Sequence, residues 1–414
     1  MLATLLLGQI VEEPLETPAP DAASLAFVLQ ENIKSQVQGN NTFSMDLYNR
    51  LRGTKGNLVV SPFNVTGTMA MAYAGASGVT QSQIQSVMHY LSQNVNLYEV
   101  FAFLNKKLTA PYYQGPNETR LFIANSVWLQ RDLKLSPTYV DIVNKYFQAG
   151  LKQVDFMRNP EAARTNINNW VRERTQGRIP NLVAQGDLDA SSRMVLVSAL
   201  FMKAVWKQAF DPSLTKTGVF FKDAIHSVSC QMMTGTAEFP YAELNNLQAI
   251  ELPYRSSFKD EPEFSMIILL PIGTYDVTPV ESILSATNLD TILNNLQPKQ
   301  VICTIPKFAF SSAFRLDPIF QQMGMSVPFS SYADFSGITG TKDLALGSIL
   351  HKTYISVDEK GTEAIAATAV SINLTSAQPT ETATIFKADH PFIFVIVDRS
   401  TRSIIFVGRV ETPS

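Results

Sequence analysis

The sequence predicts an α+β fold with large sheets, and three observations lead to this prediction. Helical patterns dominate the first third of the 414 residues, buried-strand patterns dominate the second half, and the two do not alternate regularly. A doubly wound fold needs that alternation, so it is not expected. Hydrophobic residues make up 45% of the chain and charged residues 17%, which is enough apolar material for a packed core.

The helical patterns begin with an apolar stripe that includes Phe43 and Leu47, spaced as on one face of a helix. Ser61 followed by Pro62 predicts the start of a second helix, because serine caps helix N-termini and proline suits the first turn. Residues 168–174 are also predicted to be helical.

Four segments of the second half are predicted to be buried strands, because each is a mainly apolar run. They span residues 194–201, 264–270, 300–305 and 391–397. No internal repeat or low-complexity linker follows residue 25. Residues 25–414 are therefore predicted to form one domain.

Residues 1–24 are expected to lie outside this domain. Residues 1–8 are apolar but short and lack a basic start, so a signal-peptide remnant and a terminal tail both stay open. Residues 12–24 are rich in glutamate and proline, which predicts an extended, disordered leader.

Charge and hydropathy exclude several classes of partner. The net charge of −3 argues against nucleic acid, which usually requires a basic surface. No apolar run reaches the roughly 18 residues that a membrane span needs. Lys106 and Lys107 are the densest group of basic residues in the helical third. A heparin site requires a longer basic stripe, so we expect these lysines to lie on a solvated helix face.

Motifs for catalysis, metals and cofactors are not found. The four histidines, His89, His226, His351 and His390, are not in a zinc motif, and no serine lies in a Gly-x-Ser-x-Gly turn. No glycine-rich loop for phosphate is present. We therefore expect no enzyme activity, no catalytic residue, no metal and no cofactor.

Cysteines and glycosylation sequons bear on the cellular compartment. Whether Cys230 and Cys303 pair cannot be read from their spacing, although two free, buried thiols are expected. Among the Asn-x-Ser/Thr sequons, Asn40 and Asn117 are candidates for a glycan, and Asn117 is the better one because its surroundings are typical of a turn. The sequons favour a secreted, extracellular glycoprotein.

Residues 359–384 differ from ordinary folded sequence, because they are rich in Ala, Ser and Thr and lie between two strand-like segments. Long connections of this kind inside a compact domain are usually functional. Alternate residues nevertheless separate into two faces, as in a half-buried strand. The face that becomes increasingly apolar consists of Thr362, Ala364, Ala366, Thr368, Val370, Ile372 and Leu374. A segment that can be both loop and strand would suit a strand-insertion switch.

The run from Glu359 to Thr368 resembles the hinge of inhibitory serpins, and the resemblance extends over nearly the whole chain. Further matching motifs lie at residues 57–62, 168–179, 201–206, 251–254, 333–338, 390–394 and 406–410. The resemblance implies about nine helices, three β-sheets and an exposed reactive loop at about residues 359–390.

The resemblance also implies the mechanism of a single-use trap. A serine protease attacks the loop, and the cleaved loop inserts into the main sheet while the enzyme is still bound covalently. The implied hinge residues are small or located where insertion begins; they are Glu359, Gly361, Thr362, Ala364, Ala366 and Ala367. A monomer is expected, with a target protease as its covalent partner.

The implied scissile bond is Thr375–Ser376, sixteen residues after the hinge glutamate. Cleavage after Leu374 or Ile372 stays open, because the loop is long before His390. No Lys or Arg lies between residues 360 and 387, so elastase-like or chymotrypsin-like targets are expected rather than trypsin-like ones. The alternative is a non-inhibitory serpin with a carrier, chaperone or storage role.

The resemblance places Ser61, Asn64, Ser198 and His351 in a polar group where the sheet opens, here called the sheet-opening cluster, and Trp206 at the breach above it. Asn64 stands where the family usually has Ser, and Ser198 where it usually has Asn. We interpret this as a compensated exchange that keeps the buried hydrogen bonds. It predicts that Asn64 is buried and carries no glycan.

Overall fold

The structure is a computed structural model. Its backbone is described for residues 22–91, 96–109, 119–147, 150–244, 246–256, 263–362 and 383–413.

The described residues form ten α-helices, the shortest of which has four residues. They are α1 (Ala22–Leu51), α2 (Pro62–Tyr73), α3 (Gly78–Met88), α4 (Leu97–Thr109), α5 (Pro137–Phe147), α6 (Pro160–Arg174), α7 (Thr278–Ile283), α8 (Ala286–Asn295), α9 (Asp317–Gln322) and α10 (Ser336–Thr339). Helix α2 starts as predicted, because the Ser61 hydroxyl caps it by accepting from the Asn64 backbone N–H. Residues 22–24, expected in the leader, are instead the first turn of α1.

Fifteen strands alternate with and follow these helices in the described part of the chain. They are β1 (Leu58–Val60), β2 (Arg120–Gln130), β3 (Leu151–Val154), β4 (Met194–Val205), β5 (Lys216–Phe221), β6 (Ser227–Leu244), β7 (Leu247–Pro253), β8 (Phe264–Pro271), β9 (Gln297–Pro306), β10 (Phe308–Arg315), β11 (Ser348–Val357), β12 (Gly361–Thr362), β13 (Thr384–Lys387), β14 (Phe392–Asp398) and β15 (Ser403–Val410). All four predicted strands are present, as β4, β8, β9 and β14.

The strands pair into two sheets within the described residues. Sheet 1 has the order β10-β11-β12-β4-β2-β3, and β11 also pairs directly with β4. Sheet 2 has the order β1-β15-β14-β8-β7-β6-β9-β13, with β5 paired to β6. The α+β class is confirmed. Two sheets are present instead of the expected three. The 18-residue strand β6 pairs with β5, β7 and β9, and these pairings join strands that would otherwise form separate sheets.

Sheet 1 lies between two apolar layers. Even-numbered residues of β4, such as Leu196 and Leu200, pack in the two larger core clusters, each of which also contains residues of α1 and α2. Odd-numbered residues, such as Val195 and Val197, pack with Ile167 of α6 in a separate cluster on the other face. Helix α6 therefore covers the outer face of the strands around β4.

Cys230 and Cys303 are both free, as expected. Cys303 is buried, but Cys230 is only partly buried, so the expectation of two buried thiols is wrong for Cys230. In the part of the chain that the structure describes, no helix combines the length and apolar character needed to cross a membrane. The same residues contain no cluster of three or more His, Cys, Asp or Glu side chains suited to a metal ion.

Candidate functional site

Strands β4 and β11 meet along a parallel pairing, here called the seam. Residues 195–201 of β4 pair directly with residues 348–354 of β11. Above the seam, the two-residue strand β12 lies between the same strands, because Thr362 pairs with Ala204 on one side and Val357 on the other. The seam is thus closed over residues 195–201 of β4, and among the described residues Gly361 and Thr362 are the ones that lie between the two strands.

Gly361 is required by the close approach of two backbones. A Cβ atom at this position would lie 2.0 Å from the carbonyl oxygen of Ala204 and 2.8 Å from Cα of Val205. These are backbone atoms within a sheet, so no side-chain movement could relieve the contact. The close approach of these backbones therefore explains why a glycine, rather than a larger residue, stands at position 361.

Residues 358–361 form the hinge turn, and Glu359 of this turn is held by residues from three neighbouring connections. The Glu359 carboxylate accepts from Lys307 Nζ at 2.8 Å and from the Thr215 hydroxyl at 2.9 Å. Its backbone oxygen accepts from the Phe210 N–H at 2.9 Å. Partial burial alone would raise the pKa of Glu359, but the bonds from Lys307 and Thr215 outweigh it and lower the pKa.

Trp206, the residue that the resemblance assigns to the breach, lies beside this turn. Its indole N–H donates to the Asp358 carbonyl at 2.9 Å, and its backbone N–H donates to the Lys360 carbonyl at 2.8 Å. Its ring stacks on Tyr254 at a centroid distance of 4.4 Å, and the Tyr254 hydroxyl lies 2.6 Å from the Thr362 hydroxyl. Trp206 and Tyr254 therefore hold the first inserted residue in place.

The four residues of the sheet-opening cluster are brought together beneath the seam, and all are completely buried. Ser198 and His351 are direct partners across it. The Asn64 Nδ2 donates to the Ser198 hydroxyl at 2.9 Å, and Nδ1 of His351 lies 3.0 Å from the same oxygen. Ser61 donates its backbone N–H to His351 Nε2 at 3.1 Å. The amide on α2 thus reaches the hydroxyl on β4, as the compensated exchange requires, but the side-chain oxygen of Asn64 has no hydrogen-bond partner.

His351 is neutral, and its tautomer follows from its partners. Burial lowers its pKa to about 3, although the contact with Ser198 raises it slightly. Nε2 accepts from Ser61, so the proton is on Nδ1 and is donated to Ser198. This serine–histidine pair has no access for a substrate, because both residues are 0% exposed. It is therefore a structural bond across the seam rather than a nucleophile with its base.

Asn125 is a member of this region that the sequence did not indicate. It lies on β2, and its Nδ2 donates to the backbone oxygen of Asn64 at 3.2 Å. The side-chain oxygens of Asn125 and Asn64 are both buried without a hydrogen-bond partner. Lys307 and Thr215 were also missed, since neither belongs to a recognisable motif. Tyr254 ends the matching motif at residues 251–254, but its contact with Thr362 was not predicted.

The prediction of a glycan at Asn40 is wrong for the folded chain. Asn40 lies within α1, is 5% exposed, and its side-chain oxygen accepts from Gln36 at 2.9 Å. Asn64 is buried as predicted. Other predicted site residues lie outside the described residues: Ala364, Ala366, Ala367, Ile372, Leu374, Thr375, Ser376 and Asn117.

The family follows from comparison with known proteins. Residues 38–413 match the family model described as Serpin (serine protease inhibitor). The chain belongs to the serpin family. An uncharacterised serpin-like protein of Thermococcus kodakarensis is 38% identical over 384 residues, covering 92% of this chain and 86% of that protein.

Two further relatives of this serpin have named roles. The leukocyte elastase inhibitor of Bos taurus is 33% identical over 387 residues, covering 90% of this chain and 98% of the inhibitor. Among solved structures, human thyroxine-binding globulin superimposes with a TM-score of 0.81 at 26% identity, covering 92% of this chain and all of that one. The serpin fold thus accommodates both an inhibitor and a binding protein among these relatives.

Proposed function

We propose that this serpin is a suicide-substrate inhibitor of a serine protease. The proposal depends on one arrangement of strands. Strands β4 and β11 pair directly along the seam, and Gly361 and Thr362 already lie between them above it. The strand that would complete insertion has its start and its two neighbours in place. Insertion would exchange the direct β4–β11 pairing for two antiparallel pairings, one on each side of the loop.

The existing register can be continued along the loop. Both pairings of Thr362 are antiparallel, so each further loop residue corresponds to one residue back in both β4 and β11. Thr368, six residues on, would come between Ser198 and His351, which are already opposite each other. The hydroxyl of Thr368, in the middle of the inserted face, would thus reach Ser198 and His351, the pair of the seam in which both residues are polar.

The apolar residues of that face agree with the same register. Val370 would lie between Leu196 and Ile349, which are both buried in the main core. A slip of one residue would instead place an alanine opposite Ser198 and His351, leaving their polar atoms without a new partner. The polarity pattern of the loop therefore favours this register over its neighbours.

The other face of the loop supports insertion beneath α6. In this register Ala367, Ala369 and Ser371 would face the outer cluster that α6 covers. Small side chains need little additional room there, because interiors are close-packed. Larger residues at these positions would require α6 to move further from the sheet.

The covalent step would begin as ordinary proteolysis. The protease serine attacks the carbonyl carbon of Thr375, the bond to the nitrogen of Ser376 breaks, and that amine takes a proton from the protease histidine. The resulting ester stays attached to the loop. Insertion of about 14 residues at ~3.3 Å each would carry the enzyme on the order of 45 Å before water could hydrolyse the ester.

The target would be elastase-like or chymotrypsin-like. No basic side chain lies between residues 360 and 387 to occupy a trypsin-like specificity pocket. The similarity to the bovine leukocyte elastase inhibitor supports the first of these classes. We also propose that the protein is secreted and has no catalytic activity of its own.

A non-inhibitory serpin is the alternative function, and the likeness to thyroxine-binding globulin favours it. A carrier would not need a hinge that inserts quickly between β4 and β11. Thr362, Ala364 and Ala366 are small and uncharged, so they present little barrier to insertion. This composition is our reason for preferring an inhibitor.

The test is to mix the protein with pancreatic elastase, chymotrypsin and trypsin and to analyse the products on denaturing gels and by mass spectrometry. We expect an SDS-stable complex with elastase or chymotrypsin and a released peptide that starts at Ser376. Loop cleavage by all active enzymes without any complex would contradict inhibition.

A matched pair of variants sharpens the test. Ala366→Glu would place a charge between Leu200 and Thr353 on insertion, so we expect cleavage without a complex. Ala383→Glu makes the same change beyond the scissile bond and should leave complex formation intact. Equal behaviour of the two variants would show that insertion of residue 366 is not part of the mechanism.

A further inference from the structure

Strand β13 is a short strand at the edge of sheet 2. It is four residues long, and in the described part of the chain it pairs with β9 alone. Its Ile385 side chain is 63% exposed. Segments with few buried contacts open at a low free energy. The residues that follow β13 therefore decide how firmly this strand is held.

His390 follows the strand and has a hydrogen-bond acceptor at each ring nitrogen. Nδ1 lies 3.0 Å from Asp389 Oδ1, and Nε2 lies 2.9 Å from the carbonyl oxygen of Pro271. The side chain is 14% exposed, so water has little access to either contact. A neutral imidazole carries one N–H and can donate to one of these acceptors, whereas the imidazolium donates to both. The geometry therefore fits the protonated ring.

Asp389 has no proton to offer in place of the ring. Burial alone would raise the pKa of Asp389, but the bonds from His390 and Lys387 outweigh burial and lower the pKa. Its carboxylate is therefore ionised at neutral pH, and it also contacts Lys387 Nζ at 2.9 Å. With a neutral His390, one ring nitrogen would face an acceptor without a hydrogen between them.

These contacts connect the end of β13 to two other strands. The backbone oxygen of Asp389 accepts from the Phe221 N–H of β5 at 2.8 Å, and Pro271 is the last residue of β8. The rings of Tyr275 and His390 meet edge to face, with their centroids 5.7 Å apart. The charged and titratable groups around His390 are Asp389, Lys387 and Tyr275, with Asp223 and His226 on the turn after Phe221.

We propose that His390, Asp389 and Pro271 form a proton-dependent clamp on β13, here called the β13 clamp. The protonated ring donates to both acceptors and so fastens the end of β13 to β8. Loss of the proton removes one of these bonds, and β13 then opens more often as the pH rises. The proposal does not depend on protease inhibition. In an inhibitor, the clamp would fix the strand that follows the reactive loop.

The other three histidines have a different arrangement among the described residues. His89 and His226 each bring one ring nitrogen to a carboxylate, and their side chains are 37% and 63% exposed. Nε2 of His351 accepts from the Ser61 N–H, so that ring needs no second proton. His226 lies on the turn after Phe221 and is therefore a close control for His390.

The chain contains its own reporter for opening of this region. Cys303 of β9 is paired with Phe386 of β13 and is completely buried, so a thiol reagent reaches it only after the surrounding structure opens. Labelling of the full-length protein with the thiol reagent DTNB, in a Cys230→Ser background, measures that opening. The thiolate is the reacting form, so labelling of every variant rises with pH. Each variant is therefore compared with its parent at the same pH.

His390→Gln keeps a donor near the position of Nε2 but has none for Asp389, so it resembles the neutral ring. We expect labelling on the order of tenfold faster than in the parent at pH 6, and within about twofold at pH 8.5. His226→Gln should match the parent at both pH values. A ratio for His390→Gln that is the same at both pH values, or an equal effect of His226→Gln, would overturn the proposal.

Hydrogen exchange followed by mass spectrometry tests the same clamp without any substitution. After correction for the intrinsic effect of pH on exchange, protection of residues 384–388 should fall on the order of fivefold between pH 6 and pH 8.5. Protection of residues 404–410 in β15 should stay the same. Unchanged protection of residues 384–388, or an equal loss in both segments, would show that His390 does not clamp β13.

Discussion

The hinge turn and the sheet-opening cluster are both polar groups on the line between β4 and β11, but they are built differently. The hinge turn is partly exposed and ionic, with Lys307 and Glu359 at 37% and 12% side-chain exposure. The cluster is fully buried and neutral, with His351 uncharged. The comparison indicates that the upper group positions the loop where water is near, whereas the lower one closes the sheet where a charge would be costly.

The largest effect is expected from the backbone contact in the upper region. Gly361→Val would force a side chain against the Ala204 carbonyl, so we expect β12 to leave the sheet, with a loss of about 3 kcal/mol and of the protease complex. Unfolding in urea and the gel assay measure both. Gly53→Ala is the control, because a Cβ at Gly53 contacts nothing. Normal complex formation by Gly361→Val would mean that β12 is not needed for insertion.

The lower region can be tested by exchanging its two members. Asn64→Ser should remove the bond to Ser198 and cost about 1–3 kcal/mol, since buried polar atoms lose their partner. Asn64→Ser with Ser198→Asn should recover part of that loss. A double-mutant cycle in urea measures the coupling, and strictly additive losses would contradict a compensated exchange.

The buried histidine of the cluster should make stability depend on pH. Folded His351 has a pKa near 3, whereas in the unfolded chain it has about 6.5, so between these values the unfolded state binds the extra proton. Stability should therefore fall as pH falls from 6.5 toward 3, by up to about 1.4 kcal/mol per pH unit. Urea unfolding at pH 7, 6 and 5 measures the slope.

His351→Gln removes the titrating group and should flatten that slope relative to the parent protein. His226→Gln is the matched control, because it removes an exposed histidine that pairs with Asp223 outside the sheet-opening cluster, so it should change the slope less than His351→Gln does. If stability falls with pH equally in the parent protein and in His351→Gln, the acid sensitivity would come from carboxylates instead.

The smallest effect is expected from the ion pair of the hinge turn. Lys307→Ala leaves Glu359 with Thr215 as its side-chain partner and should cost about 1 kcal/mol, less at high salt. Lys342→Ala breaks an ion pair with Asp334 of the same 2.8 Å length, at a more exposed lysine, and should cost less. Thermal unfolding at low and high salt compares them. A larger loss for Lys342→Ala would reverse the ranking.

The fold was largely predictable because its signals are local. The cap at Ser61 and the four buried strands follow from residue types and periodicity over short windows. The hinge was recognisable for the same reason, since its small residues form one continuous run. The count of sheets differed because the pairing of β6 with three partners depends on strand length and curvature rather than on any short pattern.

The sequence by itself determined the family and indicated the members of the sheet-opening cluster, through motifs that are contiguous or resemble known ones, and it predicts the hinge. Only the tertiary structure decided that Asn40 is buried, that Lys307 and Thr215 hold Glu359, and that Asn125 bonds to Asn64. Lys307 and Glu359 are 52 positions apart, Thr215 and Glu359 are 144 apart, and Asn125 and Asn64 are 61 apart. Contacts over such separations depend on how sheets and helices pack, and no local pattern of residues encodes them.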